Sequence, residues 1–350
     1  MTADDVIWRP HPNSPQERFL ASSCFEVLYG GQAGGGKRLR IDEPIATPSG
    51  WTTMGALRPG DVVFDADGRP CAVTFCSPVE LAAEAWELAF SDGTTIECDG
   101  DHLWVTLTDA ERDRIMRASD GWRAARRAGR PRRVSGRKSE VFTVAIAERN
   151  AARGRVIAPV PDVRGSVRAT REIVSTLIVK GHRTNHSVEN AAPLDLPAVE
   201  LAVDPYVLGV WFGDGHSRSG HISGKDEEVF TEIAKAGFEV HPLSTPITRS
   251  VHGLSPLLRR LGLLRNKHVP QAYLRASIEQ RVALLQGLCD TDGHATEKGS
   301  VEFTTTSVAL RDGMLELLAS LGIKPSCREG RAKLWGRDIS PKWRIQFWTE

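Results

Sequence analysis

Two stretches of this 350-residue chain repeat one design, and nothing else in it restricts the fold as strongly. The first runs Tyr206-Val207-Leu208-Gly209-Val210-Trp211-Phe212-Gly213-Asp214-Gly215. The second, 78 positions on, runs Leu284-Leu285-Gln286-Gly287-Leu288-Cys289-Asp290-Thr291-Asp292-Gly293. Each is an apolar helical run with a glycine at the same offset and Asp-Gly at its end. A glycine inside a helix costs about 1 kcal/mol against alanine. Its recurrence calls for a packing reason, which two helices touching backbone to backbone supply. That packing sets Asp214 and Asp292 side by side at two helix C-termini. Close carboxylates repel one another, and the helix dipole adds negative potential at that end. A divalent cation such as Mg²⁺ resolves the conflict, since it takes carboxylate oxygens and can clamp a phosphodiester.

The segments after the two motifs are also alike. Residues 216–225 and 294–307 are polar and suited to strands. Amphipathic helices then run from Glu227 to Gly237 and from Val308 to Gly322. The reading is a helix–strand–strand–helix unit present twice, in pseudo-twofold arrangement, with Gly215 and Gly293 as C-terminal helix stops. These motifs resemble the LAGLIDADG (dodecapeptide) homing endonucleases over roughly residues 170–348. The resemblance implies a single-chain enzyme of two αββα repeats, acting as a monomer, that makes a double-strand break at a long site in double-stranded DNA. Its β-saddles would lie in the major groove. Asp214 and Asp292 would be the catalytic, metal-binding carboxylates. Lys267, in Asn266-Lys267-His268-Val269-Pro270, matches the family's Lys-x-x-Pro block and would stabilise charge on the transferring phosphate. Arg218, His221, Lys225, Glu297, Lys298, Glu302 and Thr304 would face DNA from the saddles. Departures from the family pattern are Phe212-Gly213, Gln286 and Cys289, none at a terminal Asp.

Upstream the character is β. Ile45 to Trp51 reads as a turn-bounded strand pair, and Leu57 to Phe64 as a turn entering a strand. Asp65-Ala66-Asp67-Gly68 is a hairpin turn, and Trp86 to Ile96 a hairpin with Asp92-Gly93 at its apex. Asp42-Glu43-Pro44-Ile45, Leu57 to Val63 and Cys98 to Thr106 resemble successive blocks of the Hint fold of inteins, the self-splicing insertions. His102 would act on the scissile amide, a task imidazole suits near neutral pH. Asp99 stands where many inteins have Thr. Counting back from Asp42 puts the first intein residue at Arg38, whose guanidinium is no nucleophile. Trp104, two residues beyond His102, resembles the Trp of an intein class that lacks the first nucleophile and uses a downstream Cys instead.

The stretch before that junction is of a different kind. Gly31 to Lys37 has the spacing of a phosphate-binding loop, G-x-x-x-x-G-K, preceded by the strand-like Val27-Leu28-Tyr29. Arg38 occupies the position of the required Ser or Thr, and no helix follows, although such a loop needs a helix N-terminus behind it. Gly31, Gly36 and Lys37 thus read as a loop remnant. With Gln16, the segment resembles the ATPase opening of phage terminase large subunits, interrupted at Arg38.

The expected organisation is α+β: a host fragment at 1–37, the N-terminal part of a Hint domain at 38–110, a basic arm or linker at 111–169, and the endonuclease at 170–350. The net charge is only +1, yet arginines crowd the stretch from Arg112 to Lys138 around Trp122. Arg126, Arg127, Arg132 and Arg133 are the expected contacts to the DNA backbone, with a solvated helix as the plain alternative. Six cysteines without a C-x-x-C pair indicate neither zinc nor a disulfide framework. No signal peptide or membrane-length apolar run is visible, so a cytoplasmic site in a bacterial host and no membrane partner are expected. No downstream Cys block or terminal His-Asn appears before Glu350, so the chain as written is not expected to splice. Two rival readings are weaker. A terminase motor needs a Walker B strand and an αβ sheet after residue 38. A dead DNA-binding remnant would have lost a terminal Asp.

Overall fold

The computed structural model describes residues 39–79, 84–118, 165–296, 300–334 and 337–348. Gly31, Gly36, Lys37, Arg38, Arg126, Arg127, Arg132, Arg133, Glu297 and Lys298 lie outside the described residues.

The expected hairpins form. Strands β1 (Pro44–Thr47) and β2 (Gly50–Thr53) pair antiparallel, with Ala46 opposite Trp51. Strands β3 (Val62–Phe64) and β4 (Pro70–Ala72) join through the Asp65–Gly68 turn, where Gly68 adopts φ +77°. Strands β5 (Ala85–Ala89) and β6 (Thr95–Asp99) flank Asp92-Gly93 and form their own two-stranded sheet.

Two compact units organise the chain: residues up to Cys98 together with those from Asn190 onward, and Asp99 to Glu189. Strand pairing across a long stretch of sequence closes the second unit. In the second unit β7 (Leu103–Thr106) pairs with β8 (Ser166–Ala169), with Trp104 opposite Arg168. Helix α1 (Asp109–Ala118) lies between them in sequence. Helix α2 (Thr170–Ser175) and the short strands β9 (Ile178–Val179) and β10 (Arg183–Thr184) come after. Arg112, the first residue of the expected DNA-binding stretch, is instead a structural clasp. Its Nη1 donates to the carbonyls of Leu107 and Asn185, each at 2.8 Å, and its Nη2 to the Thr184 carbonyl at 3.0 Å.

The remainder of the first unit carries the repeats. Helix α3 (Pro205–Asp214) starts at Asp204, whose side chain accepts from the Val207 N–H, with Pro205 preset for the first helical position. Strand β11 (His221–Ser223), helix α4 (Glu227–Lys235), and strands β12 (Val240–Pro242) and β13 (Thr248–Val251) come next. The sheet order is β11-β13-β12. Helices α5 (Leu254–Arg260) and α6 (Gln271–Leu274) lead to α7 (Ile278–Asp292), opened by a full capping box of Ser277 and Gln280. Strands β14 (Gly293–Ala295) and β15 (Ser300–Thr305), helix α8 (Val308–Ser320), and strands β16 (Ser326–Leu334) and β17 (Arg337–Trp348) complete it, in order β14-β15-β17-β16.

The expected helix–strand–strand–helix order therefore needs correction. Each sheet takes two further strands from beyond the amphipathic helix, because a lone hairpin cannot cover that helix's apolar face. One core runs through both repeats, from Leu208, Trp211 and Ile233 to Leu284, Phe303, Leu317 and Ile345.

Candidate active site

Helices α3 and α7 meet backbone to backbone at the two internal glycines. A methyl group on Gly209 would stand 2.3 Å from the Leu284 carbonyl oxygen and 3.0 Å from the Gly287 Cα. On Gly287 it would stand 2.2 Å from the Tyr206 carbonyl oxygen. No side chain fits at either position, which is why both are glycine. Gly213 continues the close approach, since a Cβ there would overlap Thr291 Oγ1 at 2.0 Å. Thr291 meanwhile turns its hydroxyl back to the carbonyls of Gly287 (3.0 Å) and Leu288 (3.1 Å).

Gly215 and Gly293 are the C-terminal stops of the two helices, as expected from sequence, but in extended rather than left-handed backbone. Gly215 has φ −76° and ψ 144°, and Gly293 has φ −93° and ψ 158°, both extended. Glycine is needed for space: a Cβ would lie 2.3 Å from the Trp211 carbonyl oxygen at Gly215 and 2.4 Å from that of Cys289 at Gly293.

This packing brings Asp214 and Asp292 together, as the repeat implied. Burial raises the Asp214 pKa, with Lys267 partly opposing. Asp292 is raised by desolvation first and the Asp214 charge second, again with Lys267 opposing. The Asp292 side chain keeps one open side to solvent, but the crowded helix ends still penalise its charge.

Lys267 completes the group. Its Nζ donates to the carbonyls of Phe212 (2.9 Å), Gly213 (3.3 Å) and Gly215 (2.7 Å), and lies 4.9 Å from the Trp211 ring centroid. An ammonium has three donors, and all are taken by the end of α3. Its charge therefore acts on the carboxylates through space. Burial pulls its pKa down to about 8, against the upward pull of Asp292 and Asp214.

Among the described residues no cluster of three or more His, Cys, Asp or Glu could hold a metal. The donor set here is two carboxylates, which suits a hard cation that fills its remaining positions with water and substrate phosphate. Two carboxylates whose charged forms are penalised by burial, with Asp214 also raising the proton affinity of Asp292, fit such a cation electrostatically.

Residues 279–345 match the family model described as a LAGLIDADG-like domain. The match spans the second repeat, from α7 into β17. The chain is also similar to replicative DNA helicase DnaB of Mycobacterium intracellulare, 35% identical over 329 residues, which is 93% of this chain and 49% of that protein. DnaB of Mycobacterium leprae (strain TN) is 39% identical over 80 residues, 23% of this chain and 13% of that protein. The chain thus spans about half the length of the first relative and far less of the second. Among solved structures, the MchDnaB-1 intein is 41% identical over 21% of this chain and 55% of its own, with a TM-score of 0.19. A variant of I-DmoI, in complex with its target DNA and in the presence of manganese, is 15% identical over 42% of this chain and 86% of its own, with a TM-score of 0.32.

The sheets of the two repeats carry surface polar groups. Arg218 and Lys225 are exposed on either side of β11. His221 and His241 share a face of the first sheet on either side of Ser250, the register partner of both. On the second sheet Glu302 accepts from Arg344 Nε at 3.0 Å, and Thr304 pairs in register with Arg344. Sequence reasoning missed Arg328, Lys342 and Arg344. All three stand on one face of β16 and β17, with Arg328 directly opposite Arg344. The signal was available in the alternation of Trp343, Ile345 and Phe347, which are buried while Arg344, Gln346 and Trp348 are exposed.

In the other unit His102 and Trp104 sit together, rings 4.7 Å apart in edge-to-face contact. Thr170 links them: its N–H donates to the His102 carbonyl at 2.9 Å, and its hydroxyl accepts from Trp104 Nε1 at 3.0 Å. Asp99 shapes the turn before His102 by accepting from the Asp101 N–H at 3.0 Å. Among the described residues no helix is long and apolar enough to cross a membrane.

Proposed function

We propose that this chain is an intein bearing a homing endonuclease, which makes a site-specific double-strand break in double-stranded DNA lacking the insertion. The observation that carries the reading is the pair of desolvated carboxylates, Asp214 and Asp292, at the touching ends of two helices. Both would hold the cation, which we read as Mg²⁺. Such a cation supplies positive charge to the phosphodiester oxygens in the transition state. Lys267 lends a further charge while fastening the end of α3. The flanking sheets present Arg218, Lys225, Arg328, Lys342 and Arg344 to the DNA. Arg126, Arg127, Arg132, Arg133 and Lys298 are further proposed DNA contacts. His102 and Trp104 are assigned to the splicing chemistry at the junction before Arg38. The enzyme acts as a monomer, its two repeats replacing two subunits.

The gene that hosts the element is the open part of this reading. The loop from Gly31 to Lys37 and the residues before it favour a phage terminase large subunit. The similarity to two DnaB helicases favours a helicase gene. One experiment addresses both. Purified protein with Mg²⁺ is offered one plasmid bearing an uninterrupted terminase gene and another bearing an uninterrupted DnaB gene. A single cut in one plasmid supports the endonuclease and identifies the host. Cleavage of neither, or full activity in Asp214→Asn, sinks the proposal.

A further inference from the structure

Among the described residues two that are not glycine adopt positive φ, Lys180 at +52° and Arg265 at +61°. Left-handed backbone is costly for a residue with a Cβ and is visited mainly by Gly, Asn and Asp. Both residues are cations, and only one has a use for its charge inside the protein. The Lys180 Nζ donates to the buried Asp109 Oδ2 at 2.7 Å. Arg265 is exposed, and its guanidinium makes no hydrogen bond, ion pair or ring contact among the described residues.

The Arg265 backbone is nevertheless firmly held. It is third in a turn closed by the Asn266 N–H on the Leu263 carbonyl at 3.0 Å. A positive φ confined to that third position is the type II pattern, where glycine is the favoured residue. The Asn266 side chain donates to the Gly262 carbonyl at 3.4 Å and braces the turn from behind. In front, the Arg265 N–H donates to the Ser217 carbonyl at 2.6 Å, in the bend that carries the chain from Asp214 to β11. Two residues on, Lys267 bonds the carbonyls of Phe212, Gly213 and Gly215. The turn is thus fastened at two points to the segment around Asp214, which sets the Arg265 backbone at the edge of the carboxylate pair.

That edge has a need for free positive charge. A phosphodiester approaching two carboxylates is repelled by them, and the Lys267 donors are already spent on carbonyls. A guanidinium with free donors offsets the repulsion and can take two phosphate oxygens at once.

We propose that Arg265 binds a backbone phosphate of double-stranded DNA beside the one to be cut, an assignment that rests on the DNA-cutting function proposed above. The strained turn fixes the residue at that place, and its charge stays unpaired until DNA arrives. Glycine would suit the turn better, so arginine here gives up stability for the contact.

Binding of the full chain to a fluorescent duplex of mixed sequence, without metal and over a range of salt, tests this. Arg265→Gln keeps the strained backbone and removes the charge. It should weaken binding several-fold and lower the slope of log K against log salt by about 1, while Arg265→Lys keeps the slope. Arg265→Gly removes charge and strain together. It should lose the same DNA affinity and yet unfold at a higher urea midpoint, a pairing that a side chain serving only the fold would not give. An unchanged slope in Arg265→Gln, or a lower urea midpoint in Arg265→Gly, overturns the contact. If the unaltered chain binds the duplex and Arg265→Gln binds it with the same slope, the contact alone fails. If the unaltered chain does not bind at any salt, the DNA-cutting function fails and the contact with it.

Discussion

The two repeats share a backbone plan and differ in where they keep their charge. Helices α3 and α7 both place a glycine at the crossing, an aspartate at the tip and an extended glycine after it. Their surroundings are unlike. The tip of α3 has Lys267 on three of its carbonyls, whereas the tip of α7 has only the Thr291 hydroxyl turned onto its own carbonyls. On the sheets the contrast reverses. The first presents His221, Ser250 and His241, with Ser223 bonded to Thr248 and His216; the second presents Arg328, Lys342 and Arg344. The steric part of the motif tolerates no change, while the charge is divided differently between the two halves.

The largest expected effect tests whether the two tips are equivalent. Asp214→Asn and Asp292→Asn should each cut the cleavage rate by about 100-fold or more, some 3 kcal/mol. A large loss in one and little in the other would break the equivalence. Both variants should also melt higher at neutral pH. A carboxyl whose folded pKa is raised holds its proton more tightly in the native state. Its stabilisation is present at low pH and lost as pH rises through that folded pKa. The neutral amide removes the loss, and calorimetry at pH 7 checks it.

Next come the crossing glycines. Gly209→Ala and Gly287→Ala should each destabilise by about 3 kcal/mol, because the added methyl meets backbone rather than a movable side chain. Urea midpoints compared with the unaltered chain measure this, and equal losses would confirm that the crossing is symmetric.

Lys267→Met sharpens the asymmetry of the tips. We expect about a tenfold fall in cleavage and an acid limb displaced to higher pH, since both carboxylates lose the cation that opposes their protonation. The stability profile should change too. With its folded pKa lowered to about 8 from 10.5, Lys267 makes the protein more stable as pH rises from about 8 towards 10.5. That rise should vanish in Lys267→Met, as thermal melts between pH 7 and 10 would reveal.

The smallest effect concerns the sheets. Arg328→Gln with Arg344→Gln should weaken DNA binding several-fold and lower the slope of log K against log salt by about 2. His221→Gln with His241→Gln at pH 8 should leave that slope unchanged. Equal slopes for both pairs would erase the division of charge between the sheets.

Legibility in the sequence followed the range of the physics involved. The hairpins at Ile45–Trp51, Asp65–Gly68 and Trp86–Ile96 were readable because turn chemistry is local. Asp214 and Asp292 were readable because a helix-interior glycine beside a terminal Asp-Gly, seen twice, has few explanations. Strands β16 and β17 were overlooked despite the alternation at Trp343–Trp348, and with them Arg328, Lys342 and Arg344. Arg112 looked like one of many surface arginines, yet its partners at Asn185 and Thr184 lie far along the chain.

By itself the sequence determined the repeat, the glycine crossing and the identity of the two carboxylates, since each is a matter of periodicity and sterics within one element. Tertiary structure alone decided what Lys267 bonds to, why Gly215 and Gly293 are glycine, and that residues 39–98 belong with the repeats. Those outcomes rest on Arg275, Arg281 and Lys267 reaching carbonyls and carboxylates far along the chain, and a buried cation takes whichever oxygens the fold brings to it.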